Sequence, residues 1–133
     1  MTMQVQGEEV ATVETLDEME SILDTFHQRS EGSRPVIATI EYPHDCRVDI
    51  GLGSTDSIVI IWPQWYSDKS DTYYVSLTDF PKDGTKWFWL HGQADTEFDR
   101  KYLIPYEIAR NVVREFVETG NRTEIIKWTT EHY

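Results

Sequence analysis

Apolar residues change their period along this chain, and the changes mark its elements. Leu16, Met19, Ile22, Leu23 and Phe26 recur three and four residues apart, which predicts an amphipathic helix. Thr15 with Glu18 makes a capping box at its start, and the stripe runs out near Gln28. "SEGSRP" (30–35) then reads as a loop. Strand-like runs follow: 36–42, 47–52 with Val48, Ile50 and Leu52 on one face, 57–62, 72–78 and 86–92. "SIVIIW" (57–62) is apolar throughout, so it should be a central strand covered on both faces. "DFPKDG" between the last two runs has turn chemistry. Near the end, Ile108, Ala109, Val112, Val113, Phe116 and Val117 return to helical spacing. Pro105 suits the first turn of that helix, Gly120 its left-handed close, and Ile125 to Trp128 a short final strand.

Consecutive strands framed by helices argue for an α+β class. The expectation is one domain over 1–133, a mainly antiparallel sheet of five to six strands, and an N-terminal and a C-terminal helix packed on it. Residues 1–8 are polar and expected to be flexible, with a short strand at Val10 to Val13.

Charge narrows the partners. Twenty-four Asp and Glu against twelve Lys and Arg give a net charge of −12. A phosphate-binding surface needs the opposite sign, so direct binding of nucleic acid or an anionic membrane is disfavoured. A negative field instead steers a basic protein partner into contact. Cys46 is the only cysteine, which excludes an internal disulfide. No apolar run has signal-peptide or membrane-spanning length, and the expected compartment is a reducing cytoplasm.

Catalytic signatures are missing. His27, His44, His91 and His132 lie at no metal-ligand spacing with Cys46 or one another, so neither metal nor cofactor is expected. Residues 68–79 resemble a calcium loop only until Tyr73, which stands where that loop needs glycine. "GLGS" (51–54) has no third glycine and no following helix, so it reads as a turn rather than a nucleotide fingerprint. No enzyme is expected. What remains is a binding surface. Trp65 and Tyr66 lie among polar residues beside Asp68 and Asp71, as aromatic anchors ringed by carboxylates do. Trp87, Trp89 and His91 share one face of the aromatic strand, with Phe88 and Leu90 on the other.

The C-terminal third resembles a family of bacterial immunity proteins that accompany polymorphic toxins, often of the deaminase superfamily. The likeness lies in Gly92, Gln93, Thr96, Glu97 and Phe98, then Ile104-Pro105, Ala109, Glu115-Phe116, Thr119-Gly120 and Trp128. Arg122-Thr123 departs from it, standing where a proline is expected. The resemblance implies an α+β fold with a characteristic glutamate, Glu97 or Glu115, and a characteristic tryptophan, Trp128. It implies a cytoplasmic antitoxin that blocks a cognate, basic, nucleic-acid-acting toxin. The alternative is a small-molecule-binding or hydrolytic α+β domain with an aromatic pocket.

Overall fold

The structure, a computed structural model, describes residues 1–5, 8–32, 34–42, 46–63, 73–78, 83–91 and 94–130, with 42, 90, 91, 94 and 95 described by backbone alone. The chain opens with β1 (Thr2–Val5), β2 (Glu8–Thr12) and α1 (Leu16–Ser30). Next come β3 (Val36–Tyr42), β4 (Cys46–Leu52), β5 (Asp56–Ser57), β6 (Val59–Trp62) and β7 (Tyr74–Leu77). β8 (Thr85–His91), β9 (Ala94–Asp99), a 3₁₀ turn (Arg100–Tyr102) and β10 (Ile104–Pro105) lead into α2 (Tyr106–Thr119) and β11 (Lys127–Thr129).

Nine strands form one sheet in the order β11-β7-β6-β4-β3-β1-β2, with β8 joined to β3 and β9 to β8; β5 and β10 form a separate pair. All neighbours are antiparallel except β3 and β8, which meet at Val36 and Trp89. The α+β class and the two helices agree with the sequence. The strand number does not: nine in the main sheet replace the expected five to six. Part of the excess is the N-terminal stretch expected to be flexible. β1 is instead an inner strand between β2 and β3, because Met3 and Val5 alternate with polar residues and bury on one side. β9 carries no apolar alternation to announce it, since Phe98 is its one large apolar residue.

The helices end where their chemistry dictates. The Thr15 hydroxyl accepts the Glu18 N–H at 3.1 Å, and Gly120 closes α2 at φ 75° with its N–H on the Phe116 carbonyl at 2.7 Å. Pro105 is the residue before α2 rather than in its first turn. α1 and α2 cover one sheet face, burying Met19, Leu23, Ala109, Val112, Val113 and Phe116 on Ala38, Val48, Ile50 and Val59. Ile108, placed by spacing in that stripe, lies about 100° around the helix from Ala109 and is 37% exposed.

The opposite sheet face needs its own cover, because the chain at β6 is apolar on both sides: Val59 and Ile61 face the helices, Ile60 and the preceding Ile58 the second core. That cover is the β8–β9 hairpin. Phe88 and Phe98 pack edge to face, ring centroids 5.9 Å apart, over Ile37, Ile58 and Ile60. Gly51 lets the ring approach, since a Cβ there would stand 2.7 Å from Phe88 Cε1. Gly51→Ala should therefore lift the hairpin and cost about 1–3 kcal/mol, as overpacking does. Urea denaturation checks this; an unchanged midpoint would mean the ring yields freely.

Trp128 on edge strand β11 packs half-buried on the helix-side core. Its indole N–H donates to the Thr123 carbonyl at 2.9 Å, tying the post-helix turn to the sheet. Trp128→Ala should destabilise by about 3 kcal/mol, the low end for losing such a ring. A thermal melt that does not move would place this residue's role outside folding.

Candidate functional site

Strand alternation on the hairpin sorts side chains into two sets. Phe88 and Phe98 point into the second core. Thr85, Trp87, Glu97 and Asp99 point outward and are exposed, Trp87 by 53%. Trp87 sits directly across from Glu97, and Thr85 across from Asp99. Opposed positions bring Cβ atoms within about 5 Å, so the indole stands among carboxylates on the outer face of an edge hairpin.

Trp89 shares that strand face but not its surroundings. Its backbone N–H donates to the Pro35 carbonyl at 2.9 Å, and its ring packs half-buried against the helix-side core. The Arg34 guanidinium lies 4.2 Å over the ring. Its indole nitrogen is buried without a hydrogen-bond partner. The expected Trp87–Trp89 patch is thus divided into an exposed residue and an anchored one. Trp65, Tyr66, Asp68 and Asp71 lie outside the described residues, as do His44 and His132. Of the two candidate glutamates, Glu97 is exposed on β9 and Glu115 half-buried on α2, where Phe116 enters the core.

Two polar clusters escaped sequence reasoning. On the sheet face away from the helices, Asp49 accepts from Thr39 at 2.8 Å, from Arg47 at 3.1 and 3.3 Å, and from the Trp62 indole at 3.1 Å. The signal was present: Arg47 and Asp49 are charged residues two apart, hence on one face, inside an apolar strand. The second cluster joins the helices. Asp24 accepts from the Tyr106 hydroxyl at 2.9 Å and from Arg110 at 2.9 and 3.0 Å. His27 stacks on Tyr106 with centroids 3.6 Å apart and planes 3° from parallel. His27 Nδ1 accepts the Gly53 N–H at 2.8 Å. Burial and the bond to Asp24 push the Tyr106 hydroxyl well above its ordinary range. Nothing in the spacing of residues 24, 27, 53 and 106 could have announced this group.

The Asp49 set is turned on itself, whereas Asp24, His27, Tyr106 and Arg110 line a recess of about 460 Å³, and the Arg110 Nε is buried there without a hydrogen-bond partner. Among the described residues no three His, Cys, Asp or Glu side chains are placed to hold a metal ion, and no helix is long and apolar enough to cross a membrane. The chain matches the family model of Immunity protein Imm1 over residues 7–130, and it belongs to that family of immunity proteins. A search of proteins of curated function finds no match to it.

His27 carries a pH dependence. Burial lowers its pKa below the ordinary value of 6.5, outweighing the opposite pull of Glu31 and Asp24. The unfolded chain therefore binds the proton first as pH falls. The contribution of His27 is whole above about pH 6.5 and is lost as pH drops through the lower folded pKa. Protonation at Nδ1 also removes the acceptor for Gly53. The slope of stability against pH below 6.5 should flatten in His27→Asn, followed by denaturation at a series of pH values. Equal slopes for wild type and variant would acquit this residue.

Proposed function

We propose that this protein is a cytoplasmic antitoxin that neutralises a cognate toxin by binding it, without catalysis of its own, through an acidic, aromatic surface centred on Trp87. Membership of the immunity family supports a toxin as partner. The observation that carries the surface is Trp87, 53% exposed in mid-strand with Glu97 opposite. A large indole held there by a rigid hairpin is an efficient anchor, because little entropy is lost on burying it. Trp65, Tyr66, Asp68 and Asp71 are candidate anchors on sequence grounds alone, independent of that face.

A net charge of −12 favours a basic partner. Toxins that act on nucleic acid carry a positive groove for phosphates, and carboxylates can stand in for those phosphates. A nucleic-acid deaminase is the toxin class the sequence resemblance implies. The aromatic-pocket alternative has less behind it, since Phe88 is committed to the core and Trp87 to solvent.

The first test is genetic: the adjoining gene should be lethal alone and harmless beside this one. For the surface, Trp87→Ala should leave the melting curve in place and weaken toxin binding by about 2 kcal/mol or more. Association should slow as salt rises, because screening at about 8–10 Å removes steering. Undiminished affinity in Trp87→Ala, or salt-independent association, would remove the surface or the steering respectively.

A further inference from the structure

In a chain with twice as many acids as bases, one recess reverses the sign. It measures about 500 Å³ and lies where the end of α1, the start of β3 and strand β8 come together. Two guanidiniums line it and no carboxylate does. Each lies over an aromatic ring of the same recess: Arg29 is 5.3 Å from the centroid of Phe26, and Arg34 is 4.2 Å from that of Trp89. Arg29 is in no ion pair among the described residues. The buried indole nitrogen of Trp89 has no hydrogen-bond partner. Stacking on a ring holds a guanidinium plane in place and leaves its N–H edge able to bond. Arginine and indole are donors only, and an oxyanion is the acceptor that suits both.

We propose that this recess receives the carboxylate of an Asp or Glu side chain on the toxin. Its oxygens accept from the Arg29 and Arg34 guanidiniums, and the Trp89 indole N–H gains the acceptor it lacks. The proposal rests on the reading that the chain binds a toxin, and adds to it one acid on that toxin as a point of recognition.

Three observations favour that occupant. Val5, Val36 and the two rings give the recess apolar walls, which suit the methylene stem of an acidic side chain and offer nothing to a free inorganic anion. Charge argues the same way. A field of −12 repels anions free in solution and the phosphates of nucleic acid. A carboxylate carried on a basic protein is brought in by the charges around it. Position is the third. Trp89 follows exposed Trp87 by two residues on β8, about 7 Å along the strand at about 3.3 Å per residue. An interface of ordinary size spans more than that, so a partner seated on Trp87 also meets the recess. The site then rejects as well as attracts, because a basic surface that places Lys or Arg there meets two guanidiniums.

The experiment uses the full chain and the catalytically inactivated toxin domain encoded by the adjoining gene. Calorimetric affinity is measured beside melting curves and the indole N–H resonances, the Trp89 resonance being the one lost in Trp89→Phe. Arg29→Glu and Arg34→Glu should each weaken binding tenfold or more with melting unchanged. Where a reversal lowers the melting temperature, Arg29→Gln, which removes the charge without adding one, should still weaken binding. The Trp89 resonance should move when the toxin is added and stay in place with inorganic phosphate at the same concentration. Wild-type affinity in the arginine variants, with Trp87→Ala weakened, would overturn the recess and leave the proposed function standing. A wild-type chain that does not bind the toxin overturns both. A Trp89 resonance that moves with phosphate and not with the toxin overturns the toxin carboxylate in favour of a free anion.

Discussion

The contact of the Phe88 ring with the bare backbone of Gly51 governs where most of this molecule can go. Strands β4 and β6 bury side chains on both faces, so the sheet needs two covers. The helices supply one. The other is a hairpin that can lie close only where no Cβ intervenes. Once Phe88 is inside, alternation forces Trp87 outside, and the hairpin's exit delivers the chain to Arg100. There the Thr78 N–H donates to the Lys101 carbonyl at 2.9 Å, and the Ser76 hydroxyl to that of Tyr102 at 2.8 Å. Those bonds aim β10 and the start of α2. The exposed face is therefore a geometric consequence of the second core.

The Asp49 cluster works under the same cover but to a different end. A buried ion pair adds little net stability, because desolvation offsets attraction. Its worth lies in what it forbids. Asp49 lies opposite Thr39 on one side and Ile60 on the other, and a one-residue slip of β4 would turn every side chain to the other face. Asp49 would then sit among Val59 and Ala38 in the helix-side core, without a donor. That is a strong penalty against the wrong register. It fixes the strand whose own Gly51 receives Phe88.

Local signals were legible in the sequence, and contacts across the chain were not. Thr15, Gly120 and the two apolar stripes define helices through interactions within a few residues. The even apolar run at 57–62 announced a strand covered twice. Helical spacing could not exclude Ile108 from the stripe, because spacing locates a face and not the width the sheet will cover. Likewise, alternation put Trp87 and Trp89 on one face but could not tell that Arg34 and the helix-side core would close over Trp89. His27 is legible only once Gly53, twenty-six residues away, turns at φ 94° against Ser30. Met3 and Val5 follow a strand pattern too short to stand without the edge of β3 they complete.

In the proposed reading, stability and recognition are separated by one strand's alternation. The side of β8 that carries Phe88 holds the sheet together, and the side that carries Trp87 is free to vary without touching that core. Charge adds long reach with little direction: a field of −12 gathers basic surfaces generally. Selection among them must come from short-range fit, which favours the right partner and leaves wrong ones with unfilled hollows or crowded rings. In the proposed reading an exposed indole supplies that kind of discrimination, because the packing of Phe88 in the second core fixes where Trp87 stands. A binder of the proposed kind would need no reactive group of its own, because its specificity would reside in the place at which the core holds that indole.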